Sequence, residues 1–227
     1  MKIQKDSKLF QFFEKNYWEY YLELEEQFIS TKRYVAFDAA NYKSYSLEYL
    51  KLLEAVCSEI DIVGKEIAHQ IDSSFKILDI SSNIQKWWFI IQNWYSEKQL
   101  EPVAIFEDLH FSPWQGYKIV EYINKKGVRK LKLEDGSKTP DWWASYNKVK
   151  HSRTLADPDT QEQFFHRANL GNLCNAFSAL YLLEKRYMED VGRAEEYNRC
   201  KRSRLFDNQK PMFYYDEDGR PCQYVEE

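Results

Sequence analysis

Apolar residues recur along this chain mainly at three- and four-residue intervals, the spacing that places side chains on one face of a helix. Over residues 7–30 the series is Phe10, Phe13, Tyr17, Tyr20 and Leu24, with Glu14, Glu19, Glu23 and Glu26 falling elsewhere. A stricter alternation runs over residues 46–72 through Leu50, Leu53, Cys57, Ile60, Gly64, Ile67 and Ile71, behind Ser46 as a cap. Glycine at a seam position lowers helix propensity but lets a neighbouring helix approach closely. Ile84, Trp87, Trp88, Ile91 and Trp94 predict a third helix over 80–98. A short helix follows at 140–154, then a long one at 159–189 after the Asp157-Pro-Asp break. Its seam is Leu173, Ala176, Leu180, Leu183 and Tyr187, widened by Phe177, Ala179 and Leu182.

Between these stretches the pattern changes. Residues 31–45 read as a connection, with a short extended piece at Arg33–Phe37. Residues 100–138 read as an irregular insertion. Pro102–Phe106 and Arg129–Leu133 look like short strands, Glu134-Asp-Gly-Ser is a turn, and a helix is expected at Trp114–Lys125. The segment after about 192 is polar, with a turn or hairpin at Tyr214–Pro221. The sum is a mainly α chain, an up-and-down helical bundle with a small β-containing insertion. Residues 1–190 are expected to form one helical domain, with the insertion at about 100–138 and the tail 191–227 packing on it.

Composition supports a packed interior: 17% of the 227 residues are aromatic, against seven Gly and six Pro. No apolar run approaches the roughly 20 residues of a membrane span, and Met1-Lys-Ile-Gln-Lys-Asp lacks a signal-peptide hydrophobic segment. No membrane association and a cytoplasmic location are the expectations. Cys57, Cys174, Cys200 and Cys222 have no paired spacing, so no metal site is expected; Cys57 and Cys174 fall on apolar faces as core fillers. No cofactor is implied, because no nucleotide-binding loop, nucleophile elbow or metalloprotease motif occurs. A net charge of −4 gives no global attraction to nucleic acid. Positive charge is nonetheless grouped at Lys125–Lys132, Lys148–Arg153 and Arg199–Arg204, groups that read individually as solvated faces.

Candidate chemistry is densest in Pro140-Asp-Trp-Trp-Ala-Ser-Tyr-Asn-Lys-Val-Lys-His-Ser-Arg153. Thr139 is the expected N-cap and Pro140 the first helical residue. Asn147 and His151, four apart, share a face with Lys150 beside them. His151 is the candidate general base or acid, Lys150 and Arg153 the phosphate stabilisers, and Asn147, Tyr146 and Trp143 the orienting groups. The alternative is that Asn147 and His151 cross-link helices while the cations face water. His69, His110 and His166 lack such neighbours, and His166 is expected to open the last helix. Glu59 and Asn172 could complete the site from other helices, since buried carboxylates and amides need partners. Asp61–Lys65 reads as a surface i,i+4 pair.

A bundle with Tyr-Asn-Lys-Val-Lys-His ahead of a long apolar helix resembles the HEPN superfamily of bacterial defence and toxin proteins. The family signature is an Arg, then four to six residues beginning with a polar one, then His. His151 matches the His and Asn147 the polar residue, while Tyr146 stands where the Arg belongs. The resemblance implies a module that binds RNA or a partner protein, such as an antitoxin, in phage defence or a toxin–antitoxin system. With the Arg replaced, catalysis is not implied outright. A metal-independent endoribonuclease built on His151, Lys150 and Arg153 is the alternative, and a structural helical homodimer a third. The family often works as a homodimer.

Overall fold

The computed structural model describes residues 3–78, 83–96, 103–105, 109–206, 213–215 and 221–223. The fold is mainly α, a helical bundle with a small β-containing insertion. The first helical stretch starts where the Asp6 carboxylate accepts the backbone N–H groups of Lys8 and Leu9. It is α1 (Ser7–Phe13), a π turn (Glu14–Trp18) and α2 (Glu19–Ser30). The π turn inserts one residue into the helical repeat, so the buried seam advances by one. Phe10 and Phe13 are buried before it, and Trp18, Tyr21 and Phe28 after it, while the expected seam residue Tyr20 is exposed. No extended piece forms at Arg33–Phe37: Thr31–Arg33 is a 3-10 turn whose Thr31 carbonyl accepts from the N–H groups of Tyr34 and Val35.

The centre of the bundle is α3 (Leu47–Ile71) against α6 (Leu170–Val191), with α4 (Ile84–Ser96) along α3. Ser46 caps α3 through Tyr49 N–H at 3.0 Å, as expected. Every seam residue expected of α6 is buried, and Cys57 and Cys174 fill the interior. Gly64 does what its position predicts: a Cβ there would stand 2.7 Å from the Trp87 ring. The same indole donates to Asp61 Oδ1 at 2.9 Å, while Lys65 reaches Asp61 Oδ2 at 2.5 Å. Asp61–Lys65 is therefore part of the α3–α4 seam as well as an i,i+4 pair. Each fully buried large side chain contributes about 1.5–3 kcal/mol, and this seam holds Trp87, Trp88, Ile60 and Ile67.

In the insertion, β1 (Val103–Ile105) pairs antiparallel with β2 (Leu109–Phe111). The helix expected at Trp114–Lys125 is not formed; β3 (Ile119–Ile123) occupies that stretch and pairs antiparallel with β4 (Arg129–Leu133). The physical reason is the turn between them. Asn124 Oδ1 accepts from Lys126 and Val128 N–H, and Gly127 takes φ 72°, a left-handed conformation that favours glycine. Gln92 of α4 anchors the hairpin root, its amide donating to Ile119 O at 2.7 Å and accepting from Ile119 N–H at 2.9 Å. Trp114 stacks on Trp88 with ring centres 4.3 Å apart.

Helix α5 (Asp141–Ser152) begins one residue later than expected: Pro140, not Thr139, holds the cap position. The last long helix also starts late, at Leu170 with Asn169 as its cap, since Asn169 Oδ1 accepts from Asn172 N–H at 3.0 Å. Residues 159–169 are instead loop and a 3-10 turn, Phe164–Arg167, which holds His166. Beyond α6, α7 (Ala194–Arg199) leads to a segment strapped onto α2, where Glu25 accepts from Ser203 Oγ and Arg204 N–H. Strands β5 (Phe213–Tyr215) and β6 (Pro221–Gln223) pair antiparallel, at the two ends of the expected Tyr214–Pro221 hairpin, whose residues 216–220 lie outside the described residues.

Candidate functional site

The apolar positions of α5 dictate which of its polar groups reach solvent. Trp142, Trp143, Tyr146 and Val149 follow helical spacing and are buried. Trp142 Nε1 donates to Pro113 O at 3.0 Å, which fixes the helix against the insertion. Tyr146 belongs to this inward face, its ring 5.2 Å from that of Trp143. Lys150, His151 and Arg153 fall on the outward side at the C-terminal end. Lys150 Nζ lies 5.3 Å over the Tyr146 ring, a cation–π contact. Arg153 reaches Glu54 of α3 at 3.5 Å. Asn147 turns back on its own helix, donating to Trp143 O at 3.1 Å. Among the described residues, His151 makes no side-chain hydrogen bond. Three expected site residues, Lys150, His151 and Arg153, thus share one exposed edge, with Asn147 half-buried beside it and Tyr146 and Trp143 beneath.

The chain leaving α5 folds back on it as a tight double-backed loop. Phe165 N–H donates to Arg153 O at 3.0 Å and Phe164 N–H to Leu155 O at 2.9 Å, while Asp157 N–H donates to Glu162 O at 2.8 Å. Gln161 closes the turn at φ 61°. The buried Asp157 carboxylate ties the loop to its surroundings, accepting from Arg167 at 2.6 Å, Lys148 at 3.2 Å and Asp159 N–H at 3.1 Å. The Arg167 hydrogen bond above all, then the Asp159 N–H and Lys148, holds Asp157 well below the usual carboxylate range. Lys148 and Arg167 also flank the Phe164 ring at 5.0 and 5.9 Å.

This loop, the start of α6 and the segment before α3 enclose a cleft of about 230 Å³. Lys43, Tyr45, His166, Arg167, Asn169 and Asn172 line it. His166 stacks on Tyr45 with ring centres 4.1 Å apart and planes 21° from parallel. Asn172 answers the cost of a buried amide by donating to Arg167 O at 2.9 Å and Ser145 Oγ at 3.1 Å. It therefore joins the cleft and not the His151 edge, although Ser145 belongs to α5. The Arg153–Phe165 backbone bond makes the edge and the cleft neighbours along the chain path. Sequence alone carries no signal for Lys43 and Tyr45, and it places His166 at the start of the last helix rather than in a site. Only the adjacency of His166 and Arg167 to an N-capping Asn169 could have drawn attention to the cleft.

Glu59 stands apart from both. It is buried on α3, and burial raises its carboxyl from 4.5 to about 7. Its electrostatic partners are Glu184 of α6 and Tyr17 of the π turn, not α5: burial first, and then the charge of Glu59, raises Glu184 well above the carboxylate range. Among the described residues, no group of three or more His, Cys, Asp or Glu is placed to hold a metal ion. No helix among them is long and apolar enough to cross a membrane. Scans against protein-family models, curated proteins and solved structures each return no match for this chain.

Proposed function

We propose that this chain is a HEPN-like RNA-binding module in which the cleft beside α5 takes unpaired nucleotides. One observation carries the reading. The Tyr45–His166 stack stands in a cleft lined by Lys43, by Arg167, which also pairs with Asp157, by Glu162 and by two asparagines, next to the outward Lys150, His151 and Arg153. Single-stranded RNA is held by aromatic rings that stack on bases and cations that track phosphates, while the Asn169 and Asn172 amides hold the cleft wall in place. Tyr146 in the signature Arg position favours binding over cleavage, because its ring is committed to the core. A role in phage defence or a toxin–antitoxin pair, with a partner protein or a second copy of this chain, belongs to the same proposal.

The test is fluorescence anisotropy with a labelled oligouridylate across a salt series. Wild type binds, with affinity falling steeply as salt rises. Tyr45→Ala loses about 1–3 kcal/mol of stacking, and Lys43→Glu with Lys150→Glu weakens binding further, with unchanged melting temperatures. A wild type that binds no RNA, or variants that bind as wild type does, would end this reading. A second reading, metal-independent RNA cleavage, is favoured by His151 standing exposed between Lys150 and Arg153. Cleavage of total RNA in EDTA that disappears in His151→Ala supports it; inert wild-type protein excludes it.

A further inference from the structure

The β3–β4 hairpin, which ends shortly before α5 in the chain, carries a second surface. Its root is held by Gln92 and by Ile119, which is buried. Past the Glu121–Leu131 pair it leaves the body: Tyr122, Ile123 and Val128 are exposed, Ile123 to 70%. Residues 122–130 hold Lys125, Lys126, Arg129 and Lys130 and no acidic residue, in a chain of net charge −4. Of the nearby carboxylates, Asp135 pairs with Lys132 and Glu134 with Lys118, while Glu121 lies 3.9 Å from Arg129 of the patch itself. Lys125, Lys126 and Lys130 have no carboxylate partner among the described residues. Like charges gathered on a narrow two-stranded ribbon repel one another, and an anion relieves that repulsion.

We propose that this hairpin tip grips the phosphate backbone of duplex RNA, an inference that rests on the RNA reading of the chain. The fit is one of charge and shape. The strands are about 4.8 Å apart, so a ribbon with cations on its turn and on β4 faces phosphates across a groove. Alternation puts Tyr122, Lys130 and Lys132 on one face, where a ring can lie against sugars while the cations reach phosphates. Such contact reads A-form shape and charge rather than sequence. Single-strand capture is the property of the α5 cleft, and duplex binding is that of the hairpin.

The experiment combines Lys125→Glu, Lys126→Glu and Lys130→Glu in the full chain and measures anisotropy with a labelled RNA duplex, a labelled oligouridylate and a labelled DNA duplex. Between about 50 and about 200 mM salt, the variant is expected to bind the RNA duplex at least about tenfold more weakly, with a salt slope shallower by about 2–3. Its oligouridylate affinity and melting temperature stay as in wild type. The glutamine versions of the same three positions show a smaller loss in the same direction. Unchanged duplex affinity and slope, or a wild type that binds no RNA duplex, would overturn the proposal. So would a larger effect on the DNA duplex. If oligouridylate binding fails while the duplex effect appears, the cleft reading falls and the hairpin stands; the reverse result fells the hairpin alone.

Discussion

Glu59→Gln is expected to stabilise this protein above neutrality and to leave it nearly unchanged at mildly acidic pH. Glu59 is only 6% exposed, and Glu184 beside it is fully buried, with neither carboxyl oxygen meeting a hydrogen-bond partner. Taking a carboxylate out of water disfavours its charged form, and burial lifts Glu59 from 4.5 to about 7. The native state therefore holds a proton there that the unfolded chain has released. The Glu59 contribution to stability falls as pH rises from about 4.5 to about 7 and levels off above. The full shift corresponds to a ceiling of about 3 kcal/mol, and solvent screening at the exposed edge trims it to about 1–2 kcal/mol.

Urea denaturation followed by tryptophan fluorescence, at intervals from pH 5 to pH 8, reads this directly. Wild type loses stability across that range, while Glu59→Gln gives a flatter profile, so the gap between them opens with pH. Carboxylates held low, Asp157 through Arg167 and Asp72 through Ser74, lose their contribution only as pH falls through and below the usual carboxylate range. They leave the comparison untouched. A constant gap between the two proteins, or a gap that closes toward pH 8, would refute the reasoning. Either would mean that Glu59 ionises as freely in the fold as in the open chain.

Two further substitutions test the packing that positions the surfaces. Gly64→Ala drives a methyl to 2.7 Å from the buried Trp87 ring, and a loss of about 1–3 kcal/mol in urea unfolding is expected from overpacking; an unchanged or raised midpoint would show that α3 and α4 can separate freely. Gln92→Leu strands the N–H and C=O of Ile119, costing about 2–4 kcal/mol. Faster amide exchange should concentrate in Ile119–Leu133, and exchange unchanged there would mean the hairpin root is held by its apolar contacts alone.

How far the sequence speaks depends on how local the determining interaction is. Ser46, the α3 seam and the α6 seam are local periodicities, and each appears as read. The N-terminal helix shows the limit of that method: a uniform 3.6-residue repeat puts Tyr20 inside, but the π turn at Glu14–Trp18 advances the seam and buries Tyr21. Helix propensity over Trp114–Lys125 lost to a pairing that needs Leu131 and Leu133 from beyond the turn. Its signal was present in Asn124 and Gly127, a side-chain acceptor followed by a left-handed glycine. The start of α6 was misplaced for a similar reason. Asp157-Pro158 breaks a helix, but nothing in that pair tells how much chain the Arg167 and Lys148 ion pairs would draw into a loop.

The candidate site divides along the same line. Lys150, His151 and Arg153 were legible because one helix turn and its cap bring them together with no help from the rest of the chain. Their meaning was not legible, since it depends on what stands beside them. The structure takes Glu59 away to a carboxyl pair with Glu184. It moves Asn172 into contact with Ser145 and Arg167, and it brings Tyr45 from over a hundred residues away to stack on His166. Tyr146 is the residue on which both views bear. The sequence expects it among the orienting groups of the site; in the fold it is an inward ring beneath Lys150. An Arg at that place would have to bury its charge among Trp143 and its neighbours or displace them. The aromatic packing of α5 thus fixes which of its polar groups face solvent: Lys150, His151 and Arg153.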